Sequence, residues 1–292
     1  MSAPIKRHGI VVAVDGSPES TAAVNWATEE AAMRNIPLTV VHAVVTPMAT
    51  WPPMPYTDWL ATQLEDEGKK AVLHAVKIAE EAMPADRRVT INRELVHSAP
   101  GLALVEFSDE AEMVVVGSAG RGLLARSVLG SVSSNVVRHA RCPVAVIRDE
   151  DQSDVAHAPV LVGVDGSPAS ERATAIAFDQ ASRRGVELMA LHAWSDVEVD
   201  PSGVDWSSVQ AESERSLAES LATWAQRYPD VGVQRIVVCD RPARQLVEKS
   251  ESAQLVVVGS NGRGGLSGML GSVSHAVVNS VRRPVIVVPA VD

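Results

Sequence analysis

Short apolar runs rich in β-branched residues alternate with amphipathic segments along the whole chain. Runs such as Gly9–Val14 and Met113–Val116 are apolar at successive positions, which is typical of strands buried on both faces of a sheet. The segments between them carry apolar residues at helical spacing, and one begins with Ser17-Pro18-Glu19, a hydroxyl cap, a proline and an acid. Five strands alternating with helices in each half predict a doubly wound, five-stranded parallel sheet of Rossmann-like α/β type.

The same pattern sets approximate bounds for each element. Proline-rich and polar stretches are poor helix formers and predict surface loops and a linker. The first half is predicted to contain, in order, a strand at Gly9–Val14, a helix to about Asn35, a strand at Leu38–Val45, a loop at Thr46–Trp59, a helix to about Met83, a strand at Val89–Val96, a helix at Pro100–Ser108, a strand at Met113–Val116, a glycine-containing loop with its helix, and a strand at Val144–Ile147. The acidic stretch Asp149–Ala158 is the predicted linker, and Ser195–Ser207 is the predicted loop of the second half.

The chain contains two copies of one unit. The block Val12–Pro18 returns as Val162–Pro168, with the sequence Val-x-Val-Asp-Gly-Ser-Pro in both. Three further blocks recur in the same order, around the second strand, the glycine-containing loop and the last strand. Self-similarity of this kind indicates tandem domains, which we place at residues 1–150 and 151–292.

Composition narrows the class of protein. The chain has 292 residues, of which 46% are hydrophobic, enough for two domains with one core each. A net charge of −10 disfavours a nucleic-acid partner, which needs a basic face. No apolar run approaches about 20 residues and no charged-then-apolar leader is visible, so we expect a cytoplasmic protein with no membrane partner. Cys142 and Cys239 occupy different positions of the repeat and are expected to be buried apolar residues rather than metal ligands.

A glycine-containing loop between strand and helix is the strongest chemical signal. Gly117-Ser118-Ala119-Gly120 follows an apolar strand, and Gly130-Ser131-Val132-Ser133 begins a helix after nine intervening residues. Glycines let backbone amides approach an anion, and a helix start adds unpaired N–H groups and a positive dipole end. The pattern therefore predicts a phosphate cradle. In the second copy only eight residues separate Gly262 from Gly271.

These residues give the chain a resemblance to tandem universal stress proteins of the ATP-binding subfamily. The nucleotide motif of that family is G-x-x-G, nine residues, then G-[S/T], and Gly117, Gly120, Gly130 and Ser131 match it. The resemblance covers both halves and implies the adenine nucleotide alpha-hydrolase-like form of the fold. It also implies ATP as the ligand, with Mg²⁺ as a candidate companion ion.

The resemblance assigns a role to each residue of the first site. Asp15 would contact the ribose and adenine end, Ala43 would meet the adenine through its backbone, and Val116 would flank the base. The residues expected to take the ribose and phosphates are Gly117, Gly120, Gly130, Ser131, Val132 and Ser133. The corresponding residues of the second copy are Asp165, Ala193, Val258, Gly259, Gly262, Gly271, Ser272, Val273 and Ser274. The shorter second loop leads us to expect tighter binding in the first half.

Several of these residues also have plainer interpretations. Asp15 could serve only to cap the turn into the first helix. His42 and His192 lie inside apolar strands, where a hydrogen-bonded core histidine is more common than a ligand, and we leave them out of the site. Arg121 and Arg263 could reach a γ-phosphate or remain solvated loop residues.

The sequence favours a binding protein over an enzyme. It lacks G-x-x-x-x-G-K-[S/T], a G-x-G-x-x-G after the first strand, a Ser/His/Asp set and H-E-x-x-H. No catalytic or metal-ligating residue is predicted. The leading hypothesis is a nucleotide-dependent regulatory module of the stress response. The alternatives are a slow ATPase or nucleotidyl-transfer enzyme on the same fold, and a nucleotide-free interaction protein.

The last strand of each sheet suggests how the protein assembles. Val144–Ile147 and Val285–Val288 would lie at sheet edges, where unpaired amides accept another strand. Relatives in the resembled family pair through that strand. We therefore expect a pseudo-symmetric pairing of the two halves and a homodimer.

Overall fold

The computed structural model describes residues 7–45, 57–120, 129–150, 155, 157–194, 206–262 and 270–290. The chain divides into two compact units, Met1–Asp149 and Glu150–Asp292. Each unit is an α/β domain with an entirely parallel sheet, as the alternation of apolar runs and amphipathic segments predicts. Within the described ranges, no helix has both the length and the apolar character needed to cross a bilayer.

The first unit contains five strands and four helices. Its elements are β1 (Gly9–Ala13), α1 (Pro18–Arg34), β2 (Leu38–Val44), α2 (Thr57–Ala82), β3 (Ile91–His97), α3 (Pro100–Phe107), β4 (Ala111–Gly117), α4 (Ser131–His139) and β5 (Val144–Ile147). The second unit repeats the order with β6 (Val160–Gly163), α5 (Pro168–Arg184), β7 (Leu188–Trp194), α6 (Trp206–Arg227), β8 (Val233–Cys239), α7 (Pro242–Ser250), β9 (Leu255–Gly259), α8 (Ser272–Ser280) and β10 (Val285–Val288).

The strand order places the candidate site. In the first unit the order is β3-β2-β1-β4-β5, and in the second it is β8-β7-β6-β9-β10. The chain therefore moves outward from β1 to β3 and then crosses back to lay β4 on the other side of β1. Such a reversal opens a crevice at the carboxyl ends of the two central strands, where doubly wound folds bind ligands. β1 ends at Ala13, two residues before Asp15, and β4 ends at Gly117, the first glycine of the predicted loop.

The central strands form the core of each sheet. Ile10, Val11 and Val12 of β1 are completely buried, as are Val114 and Val115 of β4. Burial on both faces explains why these runs are apolar at every position rather than at alternate ones.

The helix starts follow the predicted capping chemistry. The Ser17 hydroxyl accepts a hydrogen bond from the Ser20 amide at 3.2 Å, and Pro18 occupies the first turn. Ser167 and Ser170 repeat this contact in the second unit. A serine cap of this kind contributes about 1 kcal/mol to helix stability. Both first helices therefore begin at the same point relative to the end of the preceding strand.

Two predicted loop boundaries were wrong. The loop predicted to run to Trp59 ends earlier, because α2 begins at Thr57, and the loop predicted to run to Ser207 ends at α6, which begins at Trp206. The last proline before α2 is Pro55, and the last glycine before α6 is Gly203. After these two residues, neither proline nor glycine disfavours the start of the helix, so α2 and α6 begin earlier than predicted.

Candidate functional site

A cavity of about 660 Å³ opens at the carboxyl edge of the first sheet. The end of β1, the end of β4, the start of α3 and the start of α4 surround it. The structure brings all nine residues predicted for the first site to its walls: Asp15, Ala43, Val116, Gly117, Gly120, Gly130, Ser131, Val132 and Ser133. The volume lies within the range of about 300–1,000 Å³ typical of small-molecule sites.

Asp15 holds the turn that leads into α1. Its Oδ1 accepts hydrogen bonds from the Ser17 amide at 2.9 Å and from the Ser17 hydroxyl at 2.6 Å. The turn role that the sequence left as an alternative is therefore present. Its Oδ2 faces the second loop glycine so closely that a Cβ on Gly120 would lie 2.7 Å away. A side chain at position 120 would therefore force the carboxylate to move, so Asp15 and Gly120 form one local unit.

Glycine stands at position 117 for a different reason, its close packing against α1. A Cβ at this position would lie 3.0 Å from the backbone carbonyl carbon and oxygen of Glu19, in the first turn of α1. The end of β4 therefore lies close to the helix backbone, and any side chain at this position would crowd that turn of α1. A Cβ on its counterpart Gly259 would lie 2.9 Å from the carbonyl carbon and the Cβ of Ala169 in α5. Sequence reasoning attributed these glycines to ligand approach and missed their packing role.

The start of α4 presents unpaired amides to the cavity. Gly130 donates its own N–H to the Ser118 carbonyl at 2.8 Å, and the first helical hydrogen bond runs from Ser134 to the Gly130 carbonyl at 2.8 Å. Between them, the amides of residues 131–133 have no hydrogen-bond acceptor within the described ranges, and no side chain caps the helix. Three N–H groups at the positive end of a helix dipole can bind an anion.

The Ser133 side chain has a structural partner. Its hydroxyl donates to the carbonyl of Gly117 at 2.6 Å and is buried. This bond ties the start of α4 to the end of β4. Ser133 can therefore offer a ligand its backbone amide, while its hydroxyl proton is already engaged.

Apolar residues that sequence reasoning did not select complete the cavity wall. Pro100 and Leu104 of α3 line it, together with Val41 and Leu129. His42, which the sequence analysis left out of the site, also lines this cavity. A signal was available for α3, because a proline opens the helix after the third strand of each copy, at the same edge of the sheet as the site. This side of the cavity suits a flat, apolar group.

A second cavity of about 320 Å³ occupies the equivalent position in the second unit. All nine residues predicted for that site line it: Asp165, Ala193, Val258, Gly259, Gly262, Gly271, Ser272, Val273 and Ser274. The amides of residues 272–274 again lack a hydrogen-bond acceptor in the described part of the chain. The same construction therefore occurs twice.

Three contacts of the second site repeat those of the first. Asp165 Oδ1 accepts from the Ser167 amide at 2.9 Å, and a Cβ on Gly262 would lie 2.7 Å from Asp165 Oδ2. The Ser274 hydroxyl donates to the Gly259 carbonyl at 2.5 Å.

The two cavities differ in their walls. Asn261 lines the second cavity where the smaller Ala119 lines the first. The Ser167 hydroxyl donates to the Asn261 carbonyl at 3.3 Å, whereas the Ser17 hydroxyl donates to Asp15. The turn and the glycine-containing loop are thus bonded to each other in the second unit, which agrees with its smaller volume.

The charged groups around both cavities are few. Of the described lining residues, Asp15 and Asp165 are the acidic ones, and none is lysine or arginine. The described residues contain no cluster of three or more His, Cys, Asp or Glu side chains that could hold a metal ion. Arg121 and Arg263 lie outside the described residues.

Comparison with known proteins identifies the family. The model of the universal stress protein family matches residues 6–148 and again residues 157–289. A universal stress protein of Mycobacterium tuberculosis strain H37Rv is 65% identical over 291 residues, covering 98% of this chain and 99% of the relative. Another from the same strain is 51% identical over 292 residues, covering 98% of each chain.

A solved structure agrees with the fold. The crystal structure of a universal stress protein from Archaeoglobus fulgidus aligns with a TM-score of 0.70 at 18% identity, covering 98% of this chain and 97% of that one. Likeness at this identity concerns the fold alone, but the family match spans both units and the relatives are similar over their whole length. The chain belongs to the universal stress protein family, with two tandem copies of the family domain.

Proposed function

We propose that this universal stress protein is a regulatory module that binds ATP at both sites and responds to their occupancy. The observation that carries the proposal is the shared construction of the two cavities. Each places a carboxylate, three unpaired helix-start amides and an apolar wall around one space at the carboxyl edge of a sheet. We further propose that the protein acts in the cytoplasm as a homodimer.

These groups are complementary to the parts of an adenine nucleotide. The amides of residues 131–133 would donate to phosphate oxygens, and each charge-assisted hydrogen bond contributes about 1.5–3 kcal/mol. The Asp15 carboxylate would accept from ribose hydroxyls, as acidic residues do in other nucleotide folds. The adenine would lie against Val116 and Leu104, with the backbone at Ala43 at its edge.

We propose binding rather than turnover. The polar side chains of the site are engaged in holding its structure, since Asp15 accepts from Ser17 and Ser133 donates to Gly117. Phosphoryl transfer relies on positioned cations and a group that orients the nucleophile. In this proposal Mg²⁺ would enter with the nucleotide, on its phosphate oxygens, and not through a protein cage.

The test begins with the ligand carried by the purified protein. Mass analysis of denatured protein should release an adenine nucleotide, and calorimetry of nucleotide-free protein should show ATP binding at two sites per chain. AMP and cyclic AMP serve as comparison ligands, because they retain the adenosine but not the triphosphate. The absence of any adenine nucleotide binding would contradict the proposal. Several turnovers of ATP per site within minutes would instead support the enzymatic alternative.

A further inference from the structure

One histidine in each unit is hydrogen-bonded to the backbone carbonyl of the residue before the site aspartate. His42 on β2 and His192 on β7 occupy the same position of the repeat. The Nδ1 of His42 lies 2.6 Å from the carbonyl oxygen of Val14, and that of His192 lies 2.7 Å from the carbonyl oxygen of Val164. A carbonyl can only accept, so Nδ1 carries the proton in both rings.

These bonds extend strand pairing beyond the end of the strand. β1 ends at Ala13, but the next amide, of Val14, still donates to the Val41 carbonyl at 2.9 Å. Among the described residues no backbone N–H donates to the Val14 carbonyl, and the His42 imidazole supplies the donor instead. Both backbone groups of the residue before Asp15 are therefore tied to β2. Without the imidazole, the turn would be held to β2 on one side only.

The opposite edge of the first imidazole is also restrained. A Cβ on Gly68 of α2 would lie 2.7 Å from His42 Cδ2 and 3.1 Å from Nε2. The ring is thus held between α2 and the turn. An added methyl group at Gly68 would push it away from its present position.

We propose that His42 and His192 are positioning residues of the two nucleotide sites. Each fixes the backbone immediately before the site aspartate, and so fixes where that carboxylate meets the loop glycine, 2.7 Å from a Cβ on Gly120 or Gly262. The inference rests on the proposed nucleotide function. It adds a residue whose ring acts on the carboxylate through the main chain. His42 also lines the first cavity, whereas His192 is not among the described residues that line the second.

The test changes the hydrogen-bond donor at position 42 while keeping a side chain of similar size. His42→Leu removes the N–H, and His42→Asn keeps a donor at the position of Nδ1. Calorimetry with ATP should show a loss of about ten-fold in affinity at one of the two sites for His42→Leu, the size expected for one hydrogen bond, and recovery for His42→Asn. His192→Leu should weaken the other site by a similar factor, and because His192 is not among the described residues that line that cavity, this loss would report positioning rather than a lost ligand contact. A loss in His42→Leu with none in His192→Leu would overturn the positioning role.

A destabilised variant separates positioning from general loss of structure. Val40→Ala removes buried side-chain volume from the same strand, two residues before His42, and leaves the imidazole in place. It should lower the thermal midpoint without lowering ATP affinity. Nitrogen-15 NMR of the wild-type protein should also show His42 protonated at Nδ1.

The outcomes distinguish failure of the positioning role from failure of the proposed nucleotide-binding function. If the wild-type protein binds ATP and His42→Leu binds it equally well, the positioning role is overturned while the proposed function stands. Failure of the wild-type protein to bind any adenine nucleotide overturns both. If His42→Leu does not fold, Gly68→Ala decides, since displacement of the ring should still weaken the first site. Unchanged affinity in Gly68→Ala would then refute the role.

Discussion

Replacing Gly117 with alanine should destabilise the first unit even when no nucleotide is present. The new methyl group would lie 3.0 Å from the backbone of Glu19, in a helix turn that Pro18 and the Ser17 cap hold in place. Rigid backbone cannot move aside as a side-chain tip can. Overpacking of this kind costs about 1–3 kcal/mol. In a unit of 149 residues that corresponds to a fall of about 2–10 °C in the thermal midpoint.

A matched control exists within the same motif. A methyl group on Gly130 would lie 3.5 Å from its nearest neighbours, Ala119 Cα and the Ser118 carbonyl, and the φ of Gly130 is −62°, which alanine adopts freely. Gly130→Ala should therefore melt within about 2 °C of the wild-type protein, because loss of a good helix cap is offset by reduced freedom of the unfolded chain. Scanning calorimetry of nucleotide-free protein measures both variants. Equal midpoints for Gly117→Ala and Gly130→Ala would refute the packing argument.

Three further outcomes are expected. Gly120→Ala and Gly262→Ala should each displace the adjacent carboxylate and weaken ATP binding. Because we expect the first site to bind more tightly, Gly120→Ala should lose more bound nucleotide than Gly262→Ala. The reverse ranking in calorimetry would refute that asymmetry. Hydrogen bonds from the Arg241 amide and the Gln245 side chain lower the pKa of the Asp240 carboxyl below its ordinary value, so its contribution to stability is present at neutral pH and is lost as the pH falls through the lowered pKa. The difference in thermal midpoint between the wild-type protein and Asp240→Asn should shrink in acid, and a constant difference would contradict this. Finally, sedimentation equilibrium should give twice the chain mass of 30.9 kDa, and a mass of one chain would exclude the homodimer.

The sequence predicted the fold because its signals are local and repeated. The fully apolar runs at β1 and β4 indicate burial on both faces, and the second copy supplies an independent instance of every element. The start of α1 could also be predicted, because the Ser17 cap depends only on residues within one helical turn. Boundaries such as Thr57 were missed because a proline-rich stretch shows where helix is disfavoured, but not where the disfavoured stretch ends.

The sequence was enough to select residues that line the two cavities, but not to show the structural contacts that each of them makes. That a side chain at Gly120 would displace the Asp15 carboxylate depends on a contact between residues 105 positions apart. The packing of Gly117 on α1 is likewise a property of the assembled sheet and helix. His42 was set aside as a core histidine, because nothing in its neighbours along the chain indicates that its ring bonds the carbonyl before Asp15.

The bond from Ser133 to the Gly117 carbonyl has a consequence for how a ligand would be met. Together with the bond from the Gly130 amide to Ser118, it anchors the helix start to the end of the strand through bonds between protein groups. The three helix-start amides are thereby preorganised. The entropy cost of fixing these amides is incurred when the protein folds and not when a ligand binds. An anion would therefore bind more tightly here than at amides that must first become ordered.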